Sequence, residues 1–360
     1  MECPRARVYA LTRACASHMF KEMGTRVKSI RIIGLGALCL CFVAASFGLY
    51  FYRYAVTPTQ TSETSVVVWI RSGQSFSETV AQLQEHGLVR HPKRFRWLAR
   101  LREDDRHIRA GEYVLRASMS PKAILDTLVR GETLLHKVVI PEGSTVFGIG
   151  RIMERAGLMS QEAFLHTALD PELVKALGLK GNTFEGYLFP ETYHFPKGVS
   201  PREVIDKMVA HFRSVFTPTW IDRAQAIGMT THEVVTLGSI VEKETATPEE
   251  RPLIAAVFLN RLKRDMRLES DPTVIYGMKD FDGNLTRKDL EIPTPYNTYQ
   301  IKGLPQGPIA NPGRASIAAA LYPSEEPYLY FVSKNDGSHH FSRTLSEHNE
   351  MVRRYQLRRR

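Results

Sequence analysis

Cysteine is scarce in this chain. Of 360 residues only Cys3, Cys15, Cys39 and Cys41 are cysteine, and none follows Tyr52. The long remainder therefore has no disulfide framework and no thiol nucleophile. It has to be held by its apolar core, which a chain of this length can bury. Nucleotide fingerprints are missing as well: there is no P-loop and no dinucleotide-binding glycine pattern. Ser239 lacks a G-x-S-x-G setting, which argues against a serine hydrolase triad. His339, His340 and His348 fit no metal-ligand spacing, so neither metal nor cofactor is expected. Internal repeats and low-complexity segments are absent too.

Long hydrophobic runs are equally rare, and the one present is informative. From Ile32 to Tyr52 (IIGLGALCLCFVAASFGLYFY) about 21 positions pass without a charge. That is enough helix to cross a hydrocarbon core about 30 Å thick. It is too long for the apolar part of a signal peptide, and no clean cleavage site follows. Tyr50, Phe51, Tyr52 and Tyr54 at its end suit an interfacial aromatic belt. Acid is sparse before the run: Arg5, Arg7, Arg13, Lys21, Arg26, Lys28 and Arg31 face only Glu2 and Glu22. The positive-inside rule then predicts a cytoplasmic N-terminus and an outer remainder. Of the formal net charge of +10, seven bases against two acids leave half before the run and half after it. A mildly basic outer part suits an anionic polymer or a membrane surface rather than nucleic acid. Met19 and Met23 are alternative starts.

The rest reads as an α+β protein. The expected organisation is a basic leader over 1–31, a transmembrane helix over 32–54 and a polar linker over 55–65. A small α+β module follows over 66–135, then a larger α+β domain over 138–350 and a basic tail over 351–360. In the small module, residues 66–70 (VVVWI) and 111–115 (GEYVL) read as strands. Helices are expected over 76–88, through Phe95, Trp97 and Leu98, and from Pro121 at a first helical position. Its strand–Gly–helix opening resembles LysM-like modules that bind cell-wall glycan. In the larger domain, residues 146–156 read as helix and 328–333 as strand. The aromatic segment 182–195 (NTFEGYLFPETYHF) and the Gly-, Pro- and Asn-rich stretch 270–312 read as loops that line a binding face.

The segment SIVEKETATPEER, residues 239–251, carries two glutamates one residue apart. On a helical wheel at about 100° per residue, Glu244 falls within the apolar stripe of Leu237, Ile240 and Val241. Glu242 leaves on another face, roughly 130° away. A carboxyl that projects among apolar side chains loses hydration and its pKa rises. That is the state a general acid needs near neutral pH. Glu242 reads as a supporting or a surface residue, one that can pair with an arginine.

Several segments together carry a resemblance: Ser239 to Thr245, Val257 to Leu262, Met266 to Leu268 and Asp271 to Gly277. To these add Glu185-Gly186-Tyr187, Pro190 to Thr192, Tyr296 to Tyr299, Gly303 to Pro305, Gly307 to Ile309, Asn311-Pro312, Phe341 and His348-Asn349. The chain resembles the YceG-like family of endolytic murein transglycosylases. Gln306 departs from the proline common at that turn, and the leader is longer than usual. The resemblance implies Glu244 as the catalytic residue of a lytic cleavage of peptidoglycan strands between N-acetylmuramic acid and N-acetylglucosamine. It implies anhydro products, no cofactor, a place in the bacterial inner membrane with the catalytic domain outside, and partners in the cell-wall synthesis machinery. Tyr187, Tyr296 and Tyr299 become candidate sugar platforms. Glu185, Asp271, Thr273, Asn297 and Thr298 become candidate polar contacts, with Glu242 in support. A muramidase would instead need a second carboxylate from Glu185, Glu191 or Asp271. A glycan-binding scaffold would need no acid at all. The older aminodeoxychorismate lyase label finds no pyridoxal-binding lysine context to support it.

Overall fold

The computed structural model describes residues 35–357 apart from Ala246 and Lys279. The basic leader and the last three residues of the tail lie outside these. Helices and strands are mixed throughout, an α+β fold, and the chain divides into two compact units between Thr133 and Leu134.

The N-terminal unit begins with α1 (Leu35–Val56), a helix long and apolar enough to span a membrane. At 1.5 Å per residue its 22 residues reach roughly 33 Å. Leu38, Leu40, Phe42, Val43, Phe47 and Leu49 all stand exposed along it. Its last turns differ: Ala55 is buried and Phe51 packs against the core of this unit. Next come β1 (Ser65–Ile70), α2 (Phe76–Glu85), α3 (Pro92–Leu101), β2 (Gly111–Arg116) and α4 (Pro121–Arg130). The strands pair antiparallel with Val68 opposite Tyr113 and Ile70 opposite Gly111. Alternation sends Val68 and Ile70 into the core while Val67 and Trp69 face out. Both helices that follow a serine are capped by it: Ser75 accepts from the Glu78 N–H and Ser120 from the Ala123 N–H. The expected linker is shorter than read, because α1 continues to Val56 and Ser65 already pairs in β1.

The C-terminal unit runs β3 (Leu135–Val139), α5 (Val146–Arg155), α6 (Gln161–Ala168), α7 (Pro171–Ala176) and β4 (Thr192–Pro196). It continues through α8 (Pro201–Val215), α9 (Pro218–Ala226), α10 (Thr231–Glu244), α11 (Arg251–Lys263) and α12 (Asp271–Gly277). It ends with α13 (Arg314–Leu321), the hairpin β5 (Tyr330–Ser333) and β6 (His339–Ser342), and α14 (Leu345–Val352). Two expectations need correction. Residues 182–195 are not all loop, since Thr192–Pro196 pairs antiparallel with Leu135–Val139. The stretch 270–312 is not all loop either, since it opens with α12.

Helix α10 is the axis of this unit. Every residue from Val234 to Val241 is buried. Burial of its Val, Leu and Ile side chains contributes roughly 1.5–3 kcal/mol each relative to exposure. Gly238 faces α13, where an added Cβ would stand at ordinary contact distance, 3.4 Å, from the Ile317 Cα. Ser239 fixes a loop rather than doing chemistry. Its Oγ donates to the Thr236 carbonyl at 2.7 Å and accepts the Ile309 N–H at 3.0 Å.

Candidate active site

Glu244 is the last residue of α10, where the buried rod meets a polar cavity of about 380 Å³. Glu269, Asp271, Tyr299, Phe331, His339 and His348 are among its walls. The Glu244 carboxylate accepts a hydrogen bond from Ser270 Oγ. Burial pushes its pKa up to about 7; the Ser270 bond opposes this, and the nearby Asp271 charge adds to it. A carboxyl of that pKa is protonated about half the time at neutral pH, so it can both give and take a proton.

The surroundings of α10 differ from the single apolar stripe expected of it. Since α10 is buried on all sides over Val234–Val241, there is no single apolar stripe to single out Glu244. The two glutamates nevertheless part company. Glu242, with its side chain 7% exposed, accepts the Gly313 N–H at 2.9 Å and pairs with Arg251 at 3.6 Å. Gly313 caps the start of α13, so Glu242 ties the end of α10 to that helix. Glu142 lies against the same spot, its pKa raised by burial and then by the Glu242 charge.

Ser270 was not anticipated. It is the N-cap residue of α12, but its hydroxyl makes no cap; it turns to Glu244 instead. Two expected sugar contacts hold it there, and a third, Asn297, braces the same loop. The Ser270 N–H donates to Thr298 Oγ1 at 3.0 Å, and Thr273 Oγ1 donates to the Ser270 carbonyl at 2.6 Å. Thr273 and Thr298 share a hydrogen bond of 2.8 Å. Asn297 Nδ2 donates to the Leu290 and Ile292 carbonyls, while its Oδ1 accepts the Tyr299 N–H. All three of these side chains are buried, so they brace the loop from within.

Asp271 and Tyr299 do face the cavity together, and Tyr299 Oη donates to Asp271 Oδ1 at 2.7 Å. Tyr296 packs edge-on against Tyr276, with ring centroids 4.8 Å apart. Tyr187 lines a different cavity of about 460 Å³, where its Oη lies 2.8 Å from His232 Nδ1. Glu185 is only 2% exposed and does not line the Glu244 cavity. Its carboxyl meets the Val146 N–H at 3.1 Å, Tyr276 Oη at 3.1 Å and Asn311 Nδ2 at 2.8 Å. Burial still pushes its pKa up to about 8 against those donors. The turn that carries it depends on Gly186, at φ +86°, where a Cβ would stand 2.5 Å from Pro308.

The opposite wall comes from the hairpin. Glu250, just before α11, receives the His339 N–H at 2.8 Å and its Oε2 lies 2.6 Å from His339 Nδ1. Arg261 of α11 donates to the Leu268 and Leu329 carbonyls and to Glu269, joining the approach to α12 with the hairpin. His348 of α14 stacks on Tyr330 at 5.2 Å. Period-two reading of residues 330–342 would have aligned the hairpin faces, but not their distance from Glu244.

Residues 68–354 match the YceG-like family. The chain belongs to the YceG-like family. It is 31% identical over 309 residues to the endolytic murein transglycosylase of Bacillus subtilis, covering 82% of this chain and 86% of that one. The endolytic murein transglycosylase of Streptococcus pneumoniae is 30% identical, over 91% of this chain and 65% of its own length. A crystal structure of a yceG-like protein from Listeria monocytogenes is similar at 35% identity and a TM-score of 0.56. It covers 81% of this chain and 99% of that one.

Proposed function

We propose that this YceG-like chain is an endolytic lytic transglycosylase of peptidoglycan with Glu244 as its acid and base. The observation that carries the reading is a single carboxyl at pKa about 7, on the end of a buried helix and facing a polar cavity. Glu244 protonates the oxygen between N-acetylmuramic acid and N-acetylglucosamine. The bond from muramyl C1 to that oxygen breaks and N-acetylglucosamine leaves with a free hydroxyl; Glu244 then takes the proton of the muramyl 6-hydroxyl as O6 bonds C1 and closes the 1,6-anhydro ring. The nucleophile belongs to the substrate, so one carboxyl serves both steps. The Ser270 bond aims the carboxyl, and Tyr299 with Asp271 forms a polar edge for a sugar. The strand–helix–helix–strand order of the small unit supports its reading as a LysM-like glycan-binding module. The apolar α1 supports a single-span anchor in the inner membrane, with a cytoplasmic N-terminus and the catalytic unit outside.

Mass analysis of products from purified glycan strands tests the chemistry. Anhydro ends are expected. Reducing ends would mean that water is the nucleophile, with Asp271 as the second carboxylate in the same cavity. Intact strands would leave a binding scaffold. A reporter active only outside the membrane, fused after Arg360, tests the orientation; activity of a cytoplasmic reporter alone would reverse it.

A further inference from the structure

A cavity of about 420 Å³ opens in the N-terminal unit where α1 ends. Tyr50, Arg53 and Tyr54 of α1 form one side, and Arg90, His91 and Arg94 at the start of α3 form the other. The Arg94 guanidinium lies 5.1 Å over the Tyr50 ring and 5.8 Å over the Tyr54 ring. Those two rings are one helical turn apart and so share a face. Tyr54 Oη donates to the His91 carbonyl at 3.3 Å, which fixes the two helices together at this point. Among the described residues no acidic side chain lines the cavity. The first turn of α3 also lacks an acid, and no side chain caps its N-terminus. Three cations thus line one cavity with no anion beside them among the described residues.

The level of this cavity along α1 says what the anion is. Its tyrosines close the apolar helix, at the depth where aromatic side chains meet lipid headgroups. Along α3, Trp97 and Leu101 stand 55% and 65% exposed and one turn apart, with Lys93 and Arg100 exposed beside them in sequence. Large apolar side chains flanked by bases on the outer face of a helix are the pattern of a helix lying in a membrane interface.

We infer that this cavity binds the phosphate headgroup of an anionic membrane lipid, with Arg53, Arg90 and Arg94 as its cationic ligands and Trp97 and Leu101 entering the interface. The site holds the small unit against the leaflet from which α1 emerges. The inference rests on reading α1 as a membrane span.

The test uses the full chain in detergent with equal amounts of phosphatidylglycerol and phosphatidylcholine, read by native mass spectrometry. Wild type should retain phosphatidylglycerol preferentially. The variant Arg53→Gln/Arg90→Gln/Arg94→Gln should lose at least tenfold of that preference, since each base near an anionic surface contributes roughly fivefold. Arg94→Lys keeps the charge and should keep most of the binding. A charge-matched Arg71→Gln/Arg116→Gln/Lys122→Gln variant should behave as wild type. Equal losses in the two triple variants, or no preference in wild type, would overturn the site. Displacement of the lipid by millimolar inorganic phosphate would also overturn it, by making free phosphate the ligand. Thermal unfolding of each variant separates loss of the site from loss of fold. Alkaline carbonate extraction separates the site from the span. A chain that washes off the membrane defeats the span, whereas one that stays but keeps its preference in the arginine variant defeats the site alone.

Discussion

Two buried carboxyls in the C-terminal unit make opposite use of the same physics. Glu185 and Glu244 both have pKa values raised by burial, to about 8 and about 7. Around Glu185 the Val146 N–H, Tyr276 Oη and Asn311 Nδ2 close on the carboxyl from three segments, and no part of it reaches the Glu244 cavity. Glu244 has the Ser270 hydroxyl on one side and open cavity on the other. Burial and a perturbed pKa therefore do not by themselves mark an acid catalyst. Access to a cavity separates the two, and of this pair only Glu244 lines the one beside α12. The Glu185 carboxyl is a joint between the start of α5, the Tyr276 helix and the loop at Asn311.

The sharpest way to break this contrast is to neutralise Glu244. Glu244→Gln should lower turnover on glycan strands by about 100-fold or more, within the range of lost general acid–base catalysis. At about pH 4.5, where the raised pKa of Glu244 costs little, its unfolding free energy should stay within about 1 kcal/mol of wild type, because the amide still accepts from Ser270. Near-normal turnover in folded protein would remove Glu244 from the chemistry.

Glu185→Ala should do the reverse. It strands the Val146 N–H and Asn311 Nδ2, at about 1–3 kcal/mol for each buried group left unsatisfied. Denaturant unfolding should report a loss of about 3 kcal/mol or more, with the folded fraction keeping its turnover number. A stability change under about 1 kcal/mol would show that the joint is not structural.

Glu242→Gln should fall between them. The amide oxygen still accepts the Gly313 N–H, but the charge facing Arg251 is lost. Turnover should drop only a few-fold, with a stability loss of about 1 kcal/mol. A loss as deep as that of Glu244→Gln, in a variant that unfolds like wild type, would give Glu242 a direct part in the reaction.

The finest test is the pH profile. As a general acid Glu244 must carry its proton, so kcat/KM should fall as pH rises through about 7. The Ser270 bond lowers this pKa and the Asp271 charge raises it. Ser270→Ala should therefore move the limb to higher pH, and Asp271→Asn to lower pH. Shifts in the same direction would show that the limb belongs to another group. Stability carries the same sign. Both acids hold protons in the folded state that the unfolded chain releases above about pH 4.5, so stability falls as pH rises from there to about 8. Glu244→Gln should flatten the part of that slope below about pH 7.

Much of this was legible in the sequence because it is local. The apolar run of α1, the alternating strands of the small unit, Pro121 opening α4 and the separation of Glu242 from Glu244 all follow from spacing along a few turns. What was not legible is long-range. Residues 192–196 look like loop because their aromatic density is broken by Gly186 and Pro190, yet they find their strand partner at 135–139. Ser270 stands at the N-cap position of α12, yet its hydroxyl bonds Glu244, 26 positions earlier, a pairing that spacing along the chain does not reveal. Thr273, Asn297 and Thr298 have the residue types of sugar contacts, but folding turns them inward to brace Ser270 and Tyr299. Polar side chains suit both tasks, and only the path of the loop decides between them.

The seclusion of α10 has a consequence for how this protein can change over generations. A catalytic group on a surface loop can drift by small insertions without harm to the rest of the chain. Glu244 terminates a helix with no exposed residue over Val234–Val241, so each of those eight positions is constrained by packing before activity is considered. Variation that retunes the acid has to come from its neighbours at 269–271 and from the hairpin at 330–342, which meet the cavity from loops and edges. Libraries that randomise those two segments should yield altered activity in folded protein, whereas libraries within α10 should yield mainly unfolded chains.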